Sequence, residues 1–362
     1  MTAKSGIKTR IFRFDSTFSK GNAEERHIQE AAAVLKNGGL VAFPTETVYG
    51  LGADIYQPES VKRIFLVKGR PGDNPLIVHL SMVQQVSQVA EEIPDSFWIL
   101  AKRFLPGPLT VVLPKKDSVS PLVSAGLSTV AIRVPAHPVA ARFLQEAKTP
   151  VAAPSANLSG RPSPTRGAHV IEDLQGKVEI ILDAGPTGVG VESTVLDLTG
   201  QAPRILRPGG VTLEMLRETL GGSVEAPDVI HSDRPLAPGM KYRHYAPEAP
   251  LCLLSGEPAA VDGELCKRLS DPEFVSGKKK VAVLAFTENK IRNQVSAGNI
   301  FFYSLGSRKC PEEAAQTLFQ LLRLCDREQM DQIYAVAPPR TGVGEAVYNR
   351  LLKAAGGNVV EI

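Results

Sequence analysis

Four basic side chains in the first two thirds of the chain stand in short polar segments that could bind an anionic small molecule. Lys68 and Arg70 flank a glycine on a turn stiffened by prolines, and such a pair can clamp a polyphosphate. Arg133 lies within a predicted strand, where a buried guanidinium needs an anionic partner, and Arg207 follows another strand. Each also has an ordinary interpretation: a lysine at a helix C-terminus, a solvated arginine, or an arginine paired with a structural carboxylate.

Hydroxyl, amide and carboxylate side chains accompany these cations in loops that follow predicted strands. The segment Phe43–Gly52 is predicted as a loop that carries Thr45 and Glu46 beside two glycines, which suits recognition of a small polar ligand. Ser155 and Asn157 follow a strand at the edge where ligands of open α/β sheets bind. The alternative for the first loop is a turn whose threonines only cap backbone groups.

Two further polar side chains stand on or beside predicted strands. His79 shares one face of the predicted strand Leu76–Leu80 with Ile77. It lies either near the predicted ligand site or in the core, as a histidine whose hydrogen bonds are made within the protein. Ser193, in the segment VESTV, and Arg207 add one more hydroxyl and one more cation beside the segment of Ser155 and Asn157. Together these residues predict a site for an anionic small molecule, and a nucleotide fits that description.

Several common catalytic motifs are missing from the sequence. There is no Walker A motif, no complete dinucleotide fingerprint and no GxSxG elbow, and the histidines are scattered. The four cysteines, at positions 252, 266, 310 and 325, form no CxxC pair, which argues against zinc and dithiol sites. We therefore expect free thiols in a reducing compartment, and chemistry that depends on positioned cations and backbone amides.

Length and charge limit the classes of protein that remain. The chain has 362 residues, enough for two domains, and its 41 basic and 38 acidic residues give a net charge of +3. This balance gives no general argument for nucleic acid or membrane binding. No apolar run approaches the roughly 18–20 residues needed to cross a bilayer, and the N-terminus lacks a signal-peptide core. We expect a cytoplasmic protein.

Alternating strands and helices must position these side chains, and they predict an α/β protein with two domains. Before residue 220, helices are predicted around Ile28–Leu35 and from Pro58, and the many short strands indicate a large twisted sheet flanked by helices. The strands are predicted at Leu40–Pro44, Leu76–Leu80, Val111–Leu113, Thr129–Val134, Val151–Ala153, Val178–Asp183, Thr194–Leu198 and Arg204–Leu206. After residue 250, a more regular alternation predicts a small domain with a mainly parallel sheet.

The segment between these domains has an unusual composition for a linker. Residues 221–250 are rich in proline and glycine but also contain the cluster Lys241–Tyr245, which is basic and aromatic. Flexible spacers are usually Gly/Ser-rich or acidic, so this composition predicts a linker that packs on another part of the protein. We therefore divide the chain into domains at 1–220 and 251–362, joined by a linker at 221–250.

A resemblance adds to this interpretation. The motifs PTETVYGLG, KGRP followed by NPLIVH, PGPLT, VAIRVP, APSANLSG, ESTV and LRPG occur in the order typical of the YrdC family of threonylcarbamoyl-AMP synthases. The later LAPGMKYRHYAP and the α/β tail resemble the long, two-domain form of that family. The resemblance implies a YrdC-like large twisted mixed sheet flanked by helices, plus a smaller C-terminal Rossmann-like α/β domain.

The resemblance also implies a reaction. Such an enzyme is a nucleotidyltransferase that condenses L-threonine, bicarbonate or CO2, and ATP to threonylcarbamoyl-AMP and pyrophosphate. Mg²⁺ would be held mainly by phosphates, with no metal ligands from the protein. The product would pass to a downstream tRNA threonylcarbamoyl transferase, which modifies the adenosine next to the anticodon. Neither tight tRNA binding nor a membrane is implied.

The resemblance assigns roles to individual positions of this sequence. Lys68 and Arg70 would be catalytic, as cations that hold the phosphates. Tyr245 would reach from the linker back over ATP, which would make the linker a lid. The threonine-binding residues would be Thr45, His79, Arg133 and Ser193. The ATP-binding residues would be Lys68, Arg70, Asn74, Thr110, Ser155, Asn157, Ser163, Arg207 and Tyr245.

Two rival functions use a similar fold. An RNA-binding module would present the lysine and arginine loops as a basic surface, and its binding would weaken steeply with salt. A carbamoyltransfer domain of the hydrogenase-maturation type would carry additional zinc-finger and acylphosphatase-like segments, and this chain has no Cys-rich region. The net charge near zero argues against the first rival, and the cysteine pattern argues against the second.

Overall fold

A computed structural model of the protein describes residues 6–15, 22–222, 224–226, 244–293 and 298–362. The chain divides into two units: the first is Met1–Ser159 with Ser163–Tyr242, and the second is Gly160–Pro162 with Arg243–Ile362. Most of the linker predicted at 221–250, including positions 241–243 of its basic and aromatic cluster, lies outside the described residues. Its role as a lid therefore stays a prediction.

The first unit is built on one mixed sheet, as expected for its fold class. Its strands pair in the order β1-β8-β2-β3-β7-β4-β6-β5-β9-β10, with both parallel and antiparallel neighbours. The strands are β1 (Arg10–Arg13), β2 (Val41–Phe43), β3 (Gly50–Asp54), β4 (Ile77–His79), β5 (Leu109–Pro114), β6 (Thr129–Arg133), β7 (Val151–Ala152), β8 (Ile180–Asp183), β9 (Thr194–Asp197) and β10 (Arg204–Arg207).

Helices cover this sheet. In the described part of the unit they are α1 (Asn22–Lys36), α2 (Pro58–Lys68), α3 (Asp95–Phe104), α4 (Pro121–Ser124), α5 (Pro138–Ala147), α6 (Gly167–Leu174) and α7 (Leu213–Leu220), with a 3₁₀ turn at Val83–Gln88. Helix α2 begins with a proline in its first turn, as predicted. It ends at Gly69, whose φ of 60° is the left-handed conformation that favours glycine.

Side chains alternate across the sheet and separate two apolar cores. In β2, Val41 and Phe43 join the core that contains α1 and α5, whereas Ala42 joins the larger core on the opposite face. Further along the first face, a small cluster consists of Ile77, Val112, Ala131, Val195 and Leu206. His79, Arg133 and Thr110 each lie two positions from a member of this cluster and therefore share its face of the sheet.

The second unit contains a parallel sheet, which confirms the prediction of a Rossmann-like α/β domain. Its strand order is β13-β12-β14-β11-β15, and all these neighbours pair in parallel. The elements are β11 (Leu251–Ser255), α8 (Pro258–Leu269), α9 (Pro272–Val275), β12 (Val281–Ala285), a 3₁₀ turn at Ile291–Asn293, β13 (Ile300–Ser304), α10 (Pro311–Arg327), β14 (Gln332–Val336), α11 (Val343–Ala354) and β15 (Val359–Glu361).

The structure corrects one prediction about a site loop. The segment Phe43–Gly52 is not one loop, because Gly50–Asp54 is a strand that pairs with β2 and β7. The two glycines that suggested an open loop belong to this strand, where a side chain at Gly52 would approach Val151 to 2.9 Å. The polar part of the segment is therefore the short connection Pro44–Tyr49.

Candidate active site

Five neighbouring strands bring five of the predicted site residues into one row: His79, Thr110, Arg133 and Arg207 lie on strands, and Ser193 directly precedes β9. His79 of β4 pairs directly with Arg133 of β6, and paired residues share a face of the sheet. Val111 of β5 pairs with Ile132 of β6, so that Thr110 lies beside Arg133 at the next position. Strand β9 then follows β5, and β10 adds Arg207 at the edge.

Thr45 and Arg133 meet through a neighbouring hydroxyl. The Arg133 guanidinium donates from Nη1 to Thr47 Oγ1 at 2.8 Å and from Nε to the Gly107 carbonyl at 3.2 Å. Thr45 Oγ1 lies 2.9 Å from Thr47 Oγ1 and donates to the Val48 carbonyl. The three polar side chains are buried, so two of the predicted threonine-binding residues form one fixed cluster.

Arg133 also has the carboxylate partner that a buried arginine requires. Glu46 Oε1 lies 2.8 Å from Arg133 Nη2, and Glu46 Oε2 accepts a hydrogen bond from the Ala136 N–H at 3.0 Å. Sequence analysis identified Glu46 only as a member of the polar loop. The sequence predicted that Arg133, if buried, needs an anionic partner, because a buried guanidinium is costly without one. The fold then showed that this partner is Glu46.

His79 is buried in the sheet beside this cluster. Its ring packs edge-on against Phe43 at 5.8 Å, and Nδ1 faces the Ile77 carbonyl at 3.2 Å. Burial and the neighbouring Arg133 charge lower the pKa of His79 to about 3. Hydrogen bonds to backbone groups raise this pKa, but their effect is smaller. The imidazole is therefore neutral at pH 7 and has the packing expected of a core histidine.

A second cluster joins Thr110, Ser193 and Arg207. Thr110 Oγ1 lies 2.7 Å from Ser193 Oγ, and Arg207 donates to both the carbonyl and the hydroxyl of Ser193. All three side chains are buried. The backbone approaches closely here, because any side chain at Gly209 would come within 2.2 Å of the Thr194 nitrogen.

A third cluster surrounds Lys68 at the end of α2. Its ammonium donates to the carbonyls of Ser155 and Asn157 and lies 3.4 Å from Asn157 Oδ1. Ser155 Oγ in turn donates to Asn157 Oδ1 at 2.6 Å. Lys68 is buried, as its helical spacing predicted, and in this structure it holds the loop that follows β7.

Arg70 and Asn74 lie on the turn that follows α2. The half-buried Arg70 guanidinium donates to the carbonyls of Asn74 and Pro75, which curls the turn back on itself. The Asn74 side chain is fully buried, yet neither its Oδ1 nor its Nδ2 has a hydrogen-bond partner. A buried amide without partners is costly unless a ligand supplies them.

The remaining predicted site residues are Ser163 and Tyr245, which belong to different units. Ser163 donates to the Glu192 carboxylate, a partner that sequence analysis missed because nothing local links the two segments. Tyr245 belongs to the second unit, where it stacks on Phe319 at 5.2 Å and lies under the Arg350 guanidinium. Tyr245 has a φ of 64°, a left-handed conformation that is uncommon for tyrosine.

The described residues contain neither a cluster of metal ligands nor a membrane-spanning helix. Among these residues, no three side chains of His, Cys, Asp or Glu lie close enough together to hold a metal ion. None of the helices that the structure describes has both the length and the apolar character needed to span a bilayer. The four cysteines are free thiols.

Two family models match successive parts of the chain. The Sua5/YciO/YrdC model, described as "Telomere recombination", matches residues 33–209. The Sua5 C-terminal model, described as "Threonylcarbamoyl-AMP synthase, C-terminal domain", matches residues 211–356.

Proteins similar to this chain over nearly its whole length include a threonylcarbamoyl-AMP synthase and Sua5. Threonylcarbamoyl-AMP synthase of Bacillus subtilis (strain 168) is 45% identical over 356 residues, which cover 98% of this chain and 100% of the relative. The structure of Pyrococcus abyssi Sua5 complexed with L-threonine is 43% identical, with a TM-score of 0.88 and coverage of 98% and 99%. A second structure of that protein, with a His-Tyr pair replaced by alanines, has a TM-score of 0.87, 42% identity and 98% coverage of both chains.

Proposed function

Because this chain belongs to the family of threonylcarbamoyl-AMP synthases, we propose that it condenses L-threonine, bicarbonate or CO2, and ATP to threonylcarbamoyl-AMP and pyrophosphate. The observation that carries the proposal is the row of polar side chains across strands β4, β6, β5, β9 and β10. This row sets the predicted threonine-binding residues next to the predicted ATP-binding residues. This arrangement supports a site in which one sheet binds the amino acid and the nucleotide side by side.

The chemistry proceeds in two bond-forming steps that need no covalent intermediate with the protein. The threonine amine, after losing its ammonium proton, attacks the carbon of CO2 or bicarbonate and becomes a carbamate. A proton leaves when CO2 reacts, and water leaves when bicarbonate reacts. A carbamate oxygen then attacks the α-phosphorus of ATP, and the bond to the β-phosphate breaks to release pyrophosphate. The carbamate and ATP are both anionic, so catalysis of the second step depends on holding like charges together and neutralising the leaving group.

The proposed threonine-binding residues include one cation, Arg133, and three neutral side chains. Arg133 binds the substrate carboxylate, because it is a buried cation with rigidly held neighbours. Thr45 and Ser193 offer hydroxyls, and the neutral His79 supplies a hydrogen bond rather than a charge. These roles follow the motif positions of the family, and the contacts around Arg133 support them.

The ATP-binding residues form the other half of the site. Arg70, half-buried on its turn, contacts the phosphates directly, while Lys68 acts on them through the loop of Ser155 and Asn157 that it holds. Asn74 has two unfilled hydrogen-bonding atoms for the nucleotide. Thr110, Ser163, Arg207 and Tyr245 complete the proposed ATP-binding set.

Mg²⁺ fits this site as a companion of ATP. The described residues offer no cluster of acidic or histidine ligands, so the ion would be held by phosphate oxygens and water. When bound, it neutralises charge on the phosphates that leave. The protein's own part is to position those phosphates with Arg70 and with the loop beneath Lys68.

The proposed cellular role follows from the product. Threonylcarbamoyl-AMP would pass to a downstream tRNA threonylcarbamoyl transferase for modification of the adenosine next to the anticodon. Four free thiols support the reducing environment of the cytoplasm as the location. Tyr245 lies in the only His-Tyr dipeptide of this sequence, and such a pair was replaced in one of the Pyrococcus abyssi structures.

Pyrophosphate release by the purified protein tests the proposal. We expect release with ATP and Mg²⁺ only when both L-threonine and bicarbonate are present, together with the mass of threonylcarbamoyl-AMP. An Arg133→Lys variant should raise KM for threonine by more than about tenfold, because lysine cannot reproduce the forked contacts. Arg142→Lys, on the outer helix α5, is the matched control and should behave as wild type. Release that does not depend on threonine would contradict the proposal.

A further inference from the structure

The ion pair between Arg133 and Glu46 leaves hydrogen-bonding capacity unused. Arg133 Nη2 and Glu46 Oε1 lie 2.8 Å apart as an ion pair, yet neither atom has a hydrogen bond. The contact is therefore an ion pair by distance only. A buried donor and a buried acceptor are each left unfilled, side by side.

The rest of both side chains is fixed in place. Arg133 is held through Nε by Gly107 and through Nη1 by Thr47. Glu46 is held through Oε2 by the Ala136 N–H, and its own carbonyl accepts from the Val189 N–H at 2.7 Å. The two unfilled atoms are thus presented by rigid neighbours, which is the condition for a preorganised binding site.

Burial makes the unfilled atoms significant. The Arg133 side chain is 4% exposed and that of Glu46 is 16% exposed, so water reaches neither freely. His137 is the other titratable group that faces Glu46, but burial lowers the pKa of His137, and its Nδ1 accepts a hydrogen bond from the Val139 N–H. A neutral His137 does not replace a cation for Glu46.

We propose that Glu46 and Arg133 form a receptor for the zwitterionic head group of the amino acid, in which Glu46 accepts the α-ammonium and Arg133 binds the α-carboxylate. An α-amino acid carries its opposite charges on neighbouring atoms, and the pair presents complementary charges at adjacent unfilled positions. This inference rests on the proposed function, and it adds the residue that distinguishes an amino acid from a plain carboxylate.

Calorimetric titration with two ligands tests the role of Glu46. L-threonine is compared with (R)-3-hydroxybutanoate, which keeps the carboxylate and hydroxyl but lacks the amine. We expect Glu46→Gln to weaken threonine binding by about 10- to 100-fold, the range for a hydrogen bond to a charged group, and to leave 3-hydroxybutanoate unchanged. The amide oxygen of the new side chain would still accept from the Ala136 N–H, so the loop should keep its position.

Further variants keep the result interpretable. Glu46→Asp retains the charge on a shorter side chain and should keep part of the preference for threonine, even where the glutamine variant folds poorly. Glu59→Gln, on the exposed face of α2, is the matched control. Equal losses for both ligands would show that Glu46 only orients Arg133, and unchanged binding would show that it has no role; either result overturns the inference. A wild-type protein that binds no threonine would overturn the proposed function as well.

Discussion

At the scale of single residues, the state of His79 is set by its surroundings. The pKa of His79 falls from its ordinary value of 6.5 to about 3, because burial and the Arg133 charge both disfavour the imidazolium. The unfolded chain has no such environment. Between about pH 3 and pH 6.5 the unfolded state therefore binds a proton that the folded state does not.

This difference predicts a specific pH dependence of stability. The contribution of His79 is complete above pH 6.5 and is lost as the pH falls towards 3, at about 1.4 kcal/mol per pH unit. His79→Gln should remove it, so the fall in the free energy of unfolding from pH 7.5 to 5.5 should be about 1–1.5 kcal/mol smaller than in wild type. Urea denaturation at the two pH values measures this.

The control for this prediction is His137, a half-buried histidine near the site. The pKa of His137 is also lowered by burial, so His137 changes the free energy of unfolding with pH in the same direction as His79. Wild type and the His79→Gln variant both keep this contribution. The comparison between the two proteins therefore isolates His79. Equal pH dependence in both would show that the buried imidazole is not the group responsible.

At the scale of elements, helix α2 and the loop after β7 form one structural part. The ammonium of Lys68, in the last turn of the helix, binds backbone carbonyls of Ser155 and Asn157. The Ser159 N–H donates to the Lys68 carbonyl at 2.8 Å, which adds a backbone link in the opposite direction. The loop owes its shape to a helix that lies far away in sequence.

Replacing Lys68 by methionine should loosen this loop. Methionine fills a similar volume, but it leaves buried carbonyls without a donor, which costs about 2 kcal/mol. Hydrogen exchange at the Ala156 amide, which donates to the Tyr49 carbonyl, should then accelerate by roughly 30-fold. Pyrophosphate release should fall as well, because the loop contributes Ser155 and Asn157 to the proposed ATP site.

A lysine on the same helix provides the matched control. Lys62 is 51% exposed and pairs with Glu59 on the surface, so Lys62→Met should change the free energy of unfolding by less than about 0.5 kcal/mol. Unchanged exchange at Ala156 in Lys68→Met would mean that the loop holds its shape without the ammonium.

At the scale of the whole molecule, the near balance of charge separates this protein from a nucleic-acid-binding module. The basic residues that define the site are buried or half-buried among hydroxyls, carbonyls and a carboxylate. Cations in such positions can bind a small anion that enters the site, but they do not form an exposed surface for a phosphate backbone. The net charge of +3 over 362 residues agrees with this distribution.

We therefore expect no tight binding of tRNA. With labelled tRNA at about 150 mM salt, no saturable binding should occur at micromolar protein, while pyrophosphate release proceeds under the same conditions. Lowering the salt should give only weak, non-specific association. Tight binding that weakens steeply with rising salt would support the RNA-binding alternative instead.

The sequence by itself determined the local features. Pro58 and the spacing of Val61, Ile64 and Lys68 predicted the start of α2 and its buried lysine, because helix periodicity is a short-range property. The alternation of predicted strands and helices in the last third of the chain predicted a parallel sheet, because each of these elements is also recognised from short-range patterns. Resemblance through ordered motifs then identified the family, and the comparisons confirmed it.

Only the tertiary structure decided which of these residues meet. Lys68 and Ser155 are 87 positions apart, and Thr47 and Arg133 are 86 positions apart, so no local pattern could pair them. The row of polar residues depends on the strand order β4-β6-β5-β9-β10, which is not the order of the chain. Strand order is set by long-range pairing and by burial of whole faces of the sheet. The hydrophobic period of a segment indicates only whether that segment is a helix or a strand.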